Sequence, residues 1–384
     1  MRSEPAVTTS APYEKRYIAL VCALAALAMA SLALIPTLAR SNWDPTALVR
    51  MVPNEPMALI ARSADPDFAF VESGHYDGVY FYAIALDPVA TELPNRFLDH
   101  APYRYGHPGY GWLAALFSWG HPAAIPFVLP MLNLIGIALA AHCVSRLGVA
   151  LGTSGWVGLA VAFSPGLLYA MTVDTSEPIS AGLFFLGLWL WLRQRLIPAA
   201  ALFALLCFVK EPFVLVPVGL ALWEVVEARR GRRPQDLKKR LFLLAALPFP
   251  VALWWFYIYA GMGQWPFLSS PEALRLPPLG WVDAITRASE WVNGDAVHQL
   301  GSISLALLLA TAGFLIAAAI SSIRVRSPID AIFLAQLPVV AGLSWLALAF
   351  PKDMVRNLAV VLVLAVLALC KISWPRRATG PTPQ

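Results

Sequence analysis

The amino-acid sequence predicts an all-α, polytopic membrane protein, and three observations carry that expectation. Of 384 residues, 59% are hydrophobic and only 13% charged, about half the charged share of an ordinary soluble domain. Apolar runs recur from one end of the chain to the other, many near the roughly 20 residues needed to cross a bilayer. Lys and Arg gather in the short links between those runs, the distribution that orients membrane helices. That placement argues against a nucleic-acid partner despite the net charge of +5, because the cations form no continuous basic groove.

The first apolar run, residues 17–38, is longer than a signal-peptide core and no small-residue cleavage site follows it, so it reads as a retained span. The strongest cytoplasmic marker is 229–240, with seven Lys/Arg and a single acid, Asp236. Lys15–Arg16, Arg193, Arg195, Arg324, Arg326, Lys371 and Arg376–Arg377 agree with it. Working outward predicts about ten spans, near 17–38, 123–145, 155–173, 178–192, 196–209, 212–228, 241–260, 300–323, 329–350 and 355–372. Both termini are then cytoplasmic, with tails 1–16 and 376–384 flanking one transmembrane domain, 17–375. Residues 109–119 are apolar but too short to cross, and are expected as a membrane-embedded or interfacial helix leading into the second span.

Two long loops, 39–108 and 261–300, then lie outside the cytoplasm. The first holds nine of the 23 acids; the second is rich in Pro and Trp and contains an amphipathic stretch at 281–292. The four cysteines (Cys22, Cys143, Cys207, Cys370) sit in apolar runs without CxxC spacing, as small buried hydrophobes do. There is no Walker loop, dinucleotide fingerprint, HExxH or nucleophile elbow, and no ladder of intramembrane charge such as a voltage sensor or proton pump needs. Paired broken helices of an inverted repeat, common in secondary transporters, are also missing from the pattern.

Chemistry-bearing residues concentrate near the outer surface. Asp77-Gly78 forms a turn before an apolar stretch that suits a short interfacial helix, so Asp77 is either that helix's N-cap or a general base, with Glu72 and Asp44 as reserves. Tyr76 and Tyr80 flank it. The segment Tyr103-Arg104-Tyr105-Gly106-His107 returns the chain to the membrane, and Arg and Tyr there either anchor an interface or meet a ligand. Lys210, Lys352 and Arg356 fall at outer span ends, where the positive-inside rule disfavours cations. Taken with Arg104, they point to an anionic ligand at headgroup depth, a lipid phosphate being the obvious one. Snorkelling explains any one of the four equally well. Glu211, Asp174 and Glu177 either orient these cations or belong to the capping of the helix that opens at Pro178, with Thr175 and Ser176 beside them.

The stretch Tyr76-Asp77-Gly78-Val79-Tyr80-Phe81-Tyr82-Ala83-Ile84-Ala85 resembles the aromatic-Asp-Gly motif of the GPI mannosyltransferases that add the second mannose, within the GT-C fold. Arg104-Tyr105-Gly106-His107-Pro108-Gly109-Tyr110 looks like their downstream aromatic-Pro-Gly-aromatic motif. Ser164-Pro165-Gly166 through Asp174-Thr175-Ser176-Glu177-Pro178, and Phe208-Val209-Lys210-Glu211, resemble two later stretches of the same family, with Lys210 where Arg is usual. Bacterial membrane proteins that form cell-surface glycopolymers share the Tyr-Asp-Gly and Tyr-Arg-Tyr-Gly segments. The resemblance covers about residues 70–230. It implies a GT-C-like bundle that moves a sugar from a polyprenyl-phosphate donor to a glycan or glycolipid acceptor. It further implies Asp77 as base, Lys210, Arg356 and Arg104 on the phosphate, inversion at the sugar, and a bacterial plasma membrane with the site facing outward. No cofactor is required; a divalent metal near His75 is not demanded by any ligand spacing. A lipid or glycan transporter, or a non-catalytic subunit of an envelope-assembly complex, is the alternative.

Overall fold

The computed structural model describes residues 12–371 except 233, 235, 271–273 and 295–296. The outer parts of both expected tails, Arg376–Arg377 among them, lie outside the described residues. Helices account for nearly all regular structure; among the described residues the β contribution is one isolated bridge between Leu274 and Leu343.

By length and apolar composition, four helical stretches are able to cross a membrane: Tyr17–Arg40, Pro122–Ala150, Leu237–Met262 and His298–Ser322. Two further stretches are each broken into a pair of helices, Gly155–Ala162 with Pro165–Thr172, bent by 41°, and Pro351–Asn357 with Ala359–Cys370, bent by 63°. Counting each bent pair as one span gives six. The ten expected runs are thus helical, but several are shorter than a free-standing span. Glu177–Leu192, Leu196–Val209 and Pro328–Ala341 have 16, 14 and 14 residues, hence about 21–24 Å at the α-helical rise, against about 30 Å of hydrocarbon.

Local sequence explains the breaks. Ser164 caps the helix Pro165–Thr172 by accepting from the Leu167 N–H, and Pro165 takes its first turn, where a missing N–H costs nothing. Ser327 and Asp330 form a reciprocal capping box at Pro328–Ala341, satisfying two otherwise orphan donors. The stretch at 109–119 is the nine-residue helix Gly109–Phe117, about 14 Å long and too short to cross. It packs on Gly78–Leu86, where Gly111 leaves room for Ile84 and for the Phe81 carbonyl.

Packing centres on Glu177–Leu192, which lies against both Ile125–Ala150 and Leu196–Val209. Gly136 and Gly182 bring the first pair into backbone contact; a Cβ on Gly182 would sit 2.7 Å from the Gly136 backbone. Small residues permit such approach between membrane helices, where dispersion replaces the hydrophobic drive. Leu215–Arg229 packs on Pro328–Ala341, and the amphipathic helix Leu279–Val292 lies on His298–Ser322. Outward faces stay apolar: Leu20, Leu24 and Leu32, Phe249, Leu253 and Phe256, and Ile303, Ile316 and Ile320 are all exposed. Apolar faces on this scale suit lipid contact, and the chain is a membrane-embedded helical protein.

Charge segregates to opposite ends of Glu177–Leu192. At its C-terminal end, Arg240 is buried and bridges Glu224 at 2.7 Å and Asp236 at 2.9 Å, and also reaches Gln194. Trp191 Nε1 donates to the same Glu224. Arg230 donates to the carbonyls of Val325 and Arg324. The other charged group surrounds Glu177.

Candidate functional site

Asp77 immediately precedes the helix Gly78–Leu86. Gly78 allows the approach: a Cβ there would lie 2.7 Å from the Val49 carbonyl and 2.9 Å from that of Val173. The Asp77 side chain does not cap its helix. Instead Arg356 Nη1 donates to Oδ2 at 2.6 Å, and Arg104 Nη1 lies 3.5 Å from Oδ1. The carboxylate is 30% exposed. Burial by itself would raise its pKa, but Arg356, Arg104 and Lys210 override that and hold it at about 2.

Each cation arrives from a different element. Arg356 rides on Pro351–Asn357, which is seated against Pro165–Thr172 at Gly166; a Cβ on Gly166 would overlap the Val355 carbonyl. Arg104 comes from the short helix Ala101–Arg104, and its guanidinium lies 3.5 Å over the Tyr80 ring, a cation–π contact. The carboxylates around it outweigh the burial that would lower its pKa, so Arg104 stays charged. Lys210 caps Leu196–Val209 and donates to Glu177 Oε1 at 2.6 Å. Glu177 in turn lies 3.9 Å from Arg356 Nε, which links the two cations through one buried acid. Tyr76 donates to Asp353, and its ring lies under Arg356 at 4.9 Å and Lys352 at 5.4 Å. Burial keeps its phenol protonated against the pull of Arg356.

The turn at Asp174–Glu177 is fixed by Asn133, which is fully buried. It donates to Tyr110 Oη and to the Thr175 carbonyl and accepts from Ile179 N–H. Asp174 has φ 52°, a left-handed conformation that Asp tolerates at some cost. Its two oxygens have no hydrogen-bond partner among the described residues; the one proton of its neighbour Tyr110 goes to the Leu129 carbonyl. Burial therefore pushes the Asp174 carboxyl well above its ordinary range. Glu177 Oε2 and Arg356 Nε are likewise buried without a hydrogen-bond partner, so part of the site's polar capacity is unused.

The fold thus gathers Asp77, Tyr76, Tyr80, Arg104, Glu177, Lys210, Lys352 and Arg356 into one connected cluster. His107 and Glu211 stand together, 3.2 Å apart, where burial lowers the His107 pKa and Glu211 opposes the shift. Other candidates are placed elsewhere. Asp44 accepts from Thr46 N–H and caps the turn Pro45–Val49, Glu72 is exposed, and Tyr105 is buried with its phenol on the Asp87 carbonyl. Ser176 makes no side-chain cap for Glu177–Leu192, so that turn rests on Asn133 instead. Asp353 and Asp99 are partners of Tyr76, Tyr80 and Arg104 that the sequence did not single out, because an acid carries no local mark of the ring it will meet.

A divalent cation does not fit at Asp77, because both carboxylate oxygens already face guanidinium groups. Among the described residues no group of three or more His, Cys, Asp or Glu side chains is arranged to hold a metal ion. The site as built is an acid ringed by cations on a membrane-embedded helical protein. No protein-family model and no curated protein matches the chain.

Proposed function

We propose that the protein is a GT-C-type glycosyltransferase that moves a sugar from a polyprenyl-phosphate donor to a glycan or glycolipid acceptor. One observation carries the reading: Asp77 is shared between Arg104 and Arg356, with Lys210 joined to the same group through Glu177. An anionic phosphate and a carboxylate compete naturally for such cations. In this reading about ten helical segments, some short or bent, embed the protein in a bacterial plasma membrane with the cluster facing outward. The polyprenyl tail runs in lipid alongside.

Donor phosphate takes Arg356 and Arg104 from Asp77. Released from them, the carboxylate becomes basic enough to accept the proton of an acceptor hydroxyl within hydrogen-bond reach. The acceptor oxygen bonds to the anomeric carbon while the bond from that carbon to the phosphate oxygen breaks. The electron pair leaves on polyprenyl phosphate, whose charge the same cations stabilise; such electrostatic stabilisation commonly supplies most of the rate enhancement. Acceptor and leaving group on opposite faces of the sugar give inversion.

The test is transfer of radiolabel from a panel of polyprenyl-phosphate sugars to total lipid and glycan acceptors in proteoliposomes, wild type against Asp77→Asn. Transfer in the wild type that is lost in the variant supports the enzyme and its base. Transfer that survives the substitution moves the base elsewhere. Donor binding without consumption, accompanied by donor movement across the bilayer, replaces the enzyme with a transporter.

A further inference from the structure

Beside Arg104 lies a chain of hydrogen bonds that the proposed chemistry does not use. Glu55 Oε1, fixed by the Val52 N–H, meets His75 Nδ1 at 2.6 Å. His75 Nε2 meets the Tyr80 hydroxyl at 3.0 Å, and that hydroxyl donates to Asp99 Oδ2 at 3.1 Å. Asp99 Oδ1 accepts from Arg104 Nε at 3.3 Å, and the same guanidinium covers the Tyr80 ring and reaches Asp77.

With the Tyr80 proton on Asp99, counting protons along this chain gives one consistent state. A carboxylate only accepts, so His75 Nδ1 must donate to Glu55. Tyr80 has one proton and gives it to Asp99. His75 Nε2 then faces an oxygen that has only lone pairs to offer, and must donate as well. The arrangement is satisfied by an imidazolium. In the neutral ring Nε2 becomes an acceptor and draws the Tyr80 proton to itself. Asp99 loses that donor, keeps its full charge, and competes harder with Asp77 for Arg104.

We infer that His75 is a protonation-dependent positioning residue. As imidazolium it keeps the Tyr80 proton on Asp99 and leaves Arg104 free to serve the Asp77 cluster and the anion that binds there. This rests on the reading of that cluster as an anion site. The charged groups facing His75 are Glu55 directly, Asp99 and Arg104 across Tyr80, and Arg50, whose guanidinium donates to the carbonyls of Ser73 and Gly74. Because the charged and neutral imidazole pair differently with the Tyr80 hydroxyl, the device turns pH into a change of affinity.

The experiment measures binding of a short-chain prenyl methyl phosphodiester to the full-length protein in nanodiscs, from pH 5.5 to 8. The single charge of this probe does not change over that range. Wild type is expected to bind about fivefold more weakly at the alkaline end, the low end of couplings between linked sites. In His75→Gln, whose amide donates to Tyr80 at every pH, the profile should flatten near the acidic wild-type affinity. A His75→Gln profile that follows the wild type overturns the inference while leaving the anion site standing. A wild type that binds equally at all pH values overturns it too. Absence of binding at any pH removes the anion site itself, and the inference with it.

Discussion

Arg356 Nη1 lies 2.6 Å from Asp77 Oδ2, although 279 residues separate the two in the chain. The contact joins the start of Gly78–Leu86 to the bent pair Pro351–Asn357 and Ala359–Cys370, so the acid and its principal cation belong to opposite ends of the sequence. Under the proposed function, this carboxylate would serve as a counter-ion when no anion is bound, and as a base when an anion displaces it.

Asp77→Asn should separate these roles. Turnover is expected to fall by about 10²- to 10⁴-fold, the usual contribution of a general base. Binding of the prenyl phosphodiester should tighten, because the anion no longer competes with a carboxylate for Arg356 and Arg104. Parallel measurement of single-turnover transfer and probe affinity checks this; a matching loss of both would make Asp77 a structural partner only.

Acid should act on the same contact. With its folded pKa near 2 against an ordinary 3.8, ionised Asp77 contributes stability that is complete above about pH 4 and is lost as the pH falls through about 2. Thermal unfolding in detergent between pH 7 and pH 2 should therefore decline less steeply below pH 4 in Asp77→Asn than in wild type. Parallel curves would show that the ion pairs contribute nothing to stability.

Gly166→Ala tests how Arg356 is held. The new methyl would overlap the Val355 carbonyl, so the two segments must part and carry Arg356 away from Asp77. Overpacking of this kind costs about 1–3 kcal/mol. The expected outcome is a lowered melting temperature with a several-fold loss of probe affinity, read by thermal shift and titration on one preparation.

Lys210 and Glu177 should prove mutually dependent. Lys210→Met leaves Glu177, whose side chain is 5% exposed, with a buried charge, and loss of one partner from such a pair costs about 3–5 kcal/mol. The double variant Lys210→Met, Glu177→Gln should recover most of that stability without recovering probe affinity. A double-mutant cycle by chemical denaturation, paired with the binding assay, decides it.

Arg240 offers the contrast. Its guanidinium is buried on Glu224, Asp236 and Gln194 at the other end of the helix. Arg240→Met should lower the melting temperature while leaving probe affinity in the surviving folded protein unchanged.

The class of this protein was legible from composition alone, because a bilayer demands long apolar helices and charge confined to their ends. The sequence also singled out residues that the fold brings together: Asp77 from its Asp-Gly turn, Arg104 from the aromatic segment returning to the membrane, and Lys210, Lys352 and Arg356 from their position against the positive-inside rule. It took two broken stretches as continuous spans, since hydropathy marks an apolar run but not the bend inside it, as at Phe163-Ser164 or at Leu358. It read Arg240 as one more solvated loop cation, whereas tertiary packing buries it. Only the tertiary structure decided that Asp77 faces guanidinium groups instead of its own helix end, that Asn133 fixes the Asp174 turn, and that Glu55, His75, Tyr80 and Asp99 form one chain. The physical reason is common to all three. Apolar periodicity and capping are local properties, whereas the partner of a charge is chosen by close helix approach at Gly166, Gly78 and Gly136, between segments the sequence keeps far apart.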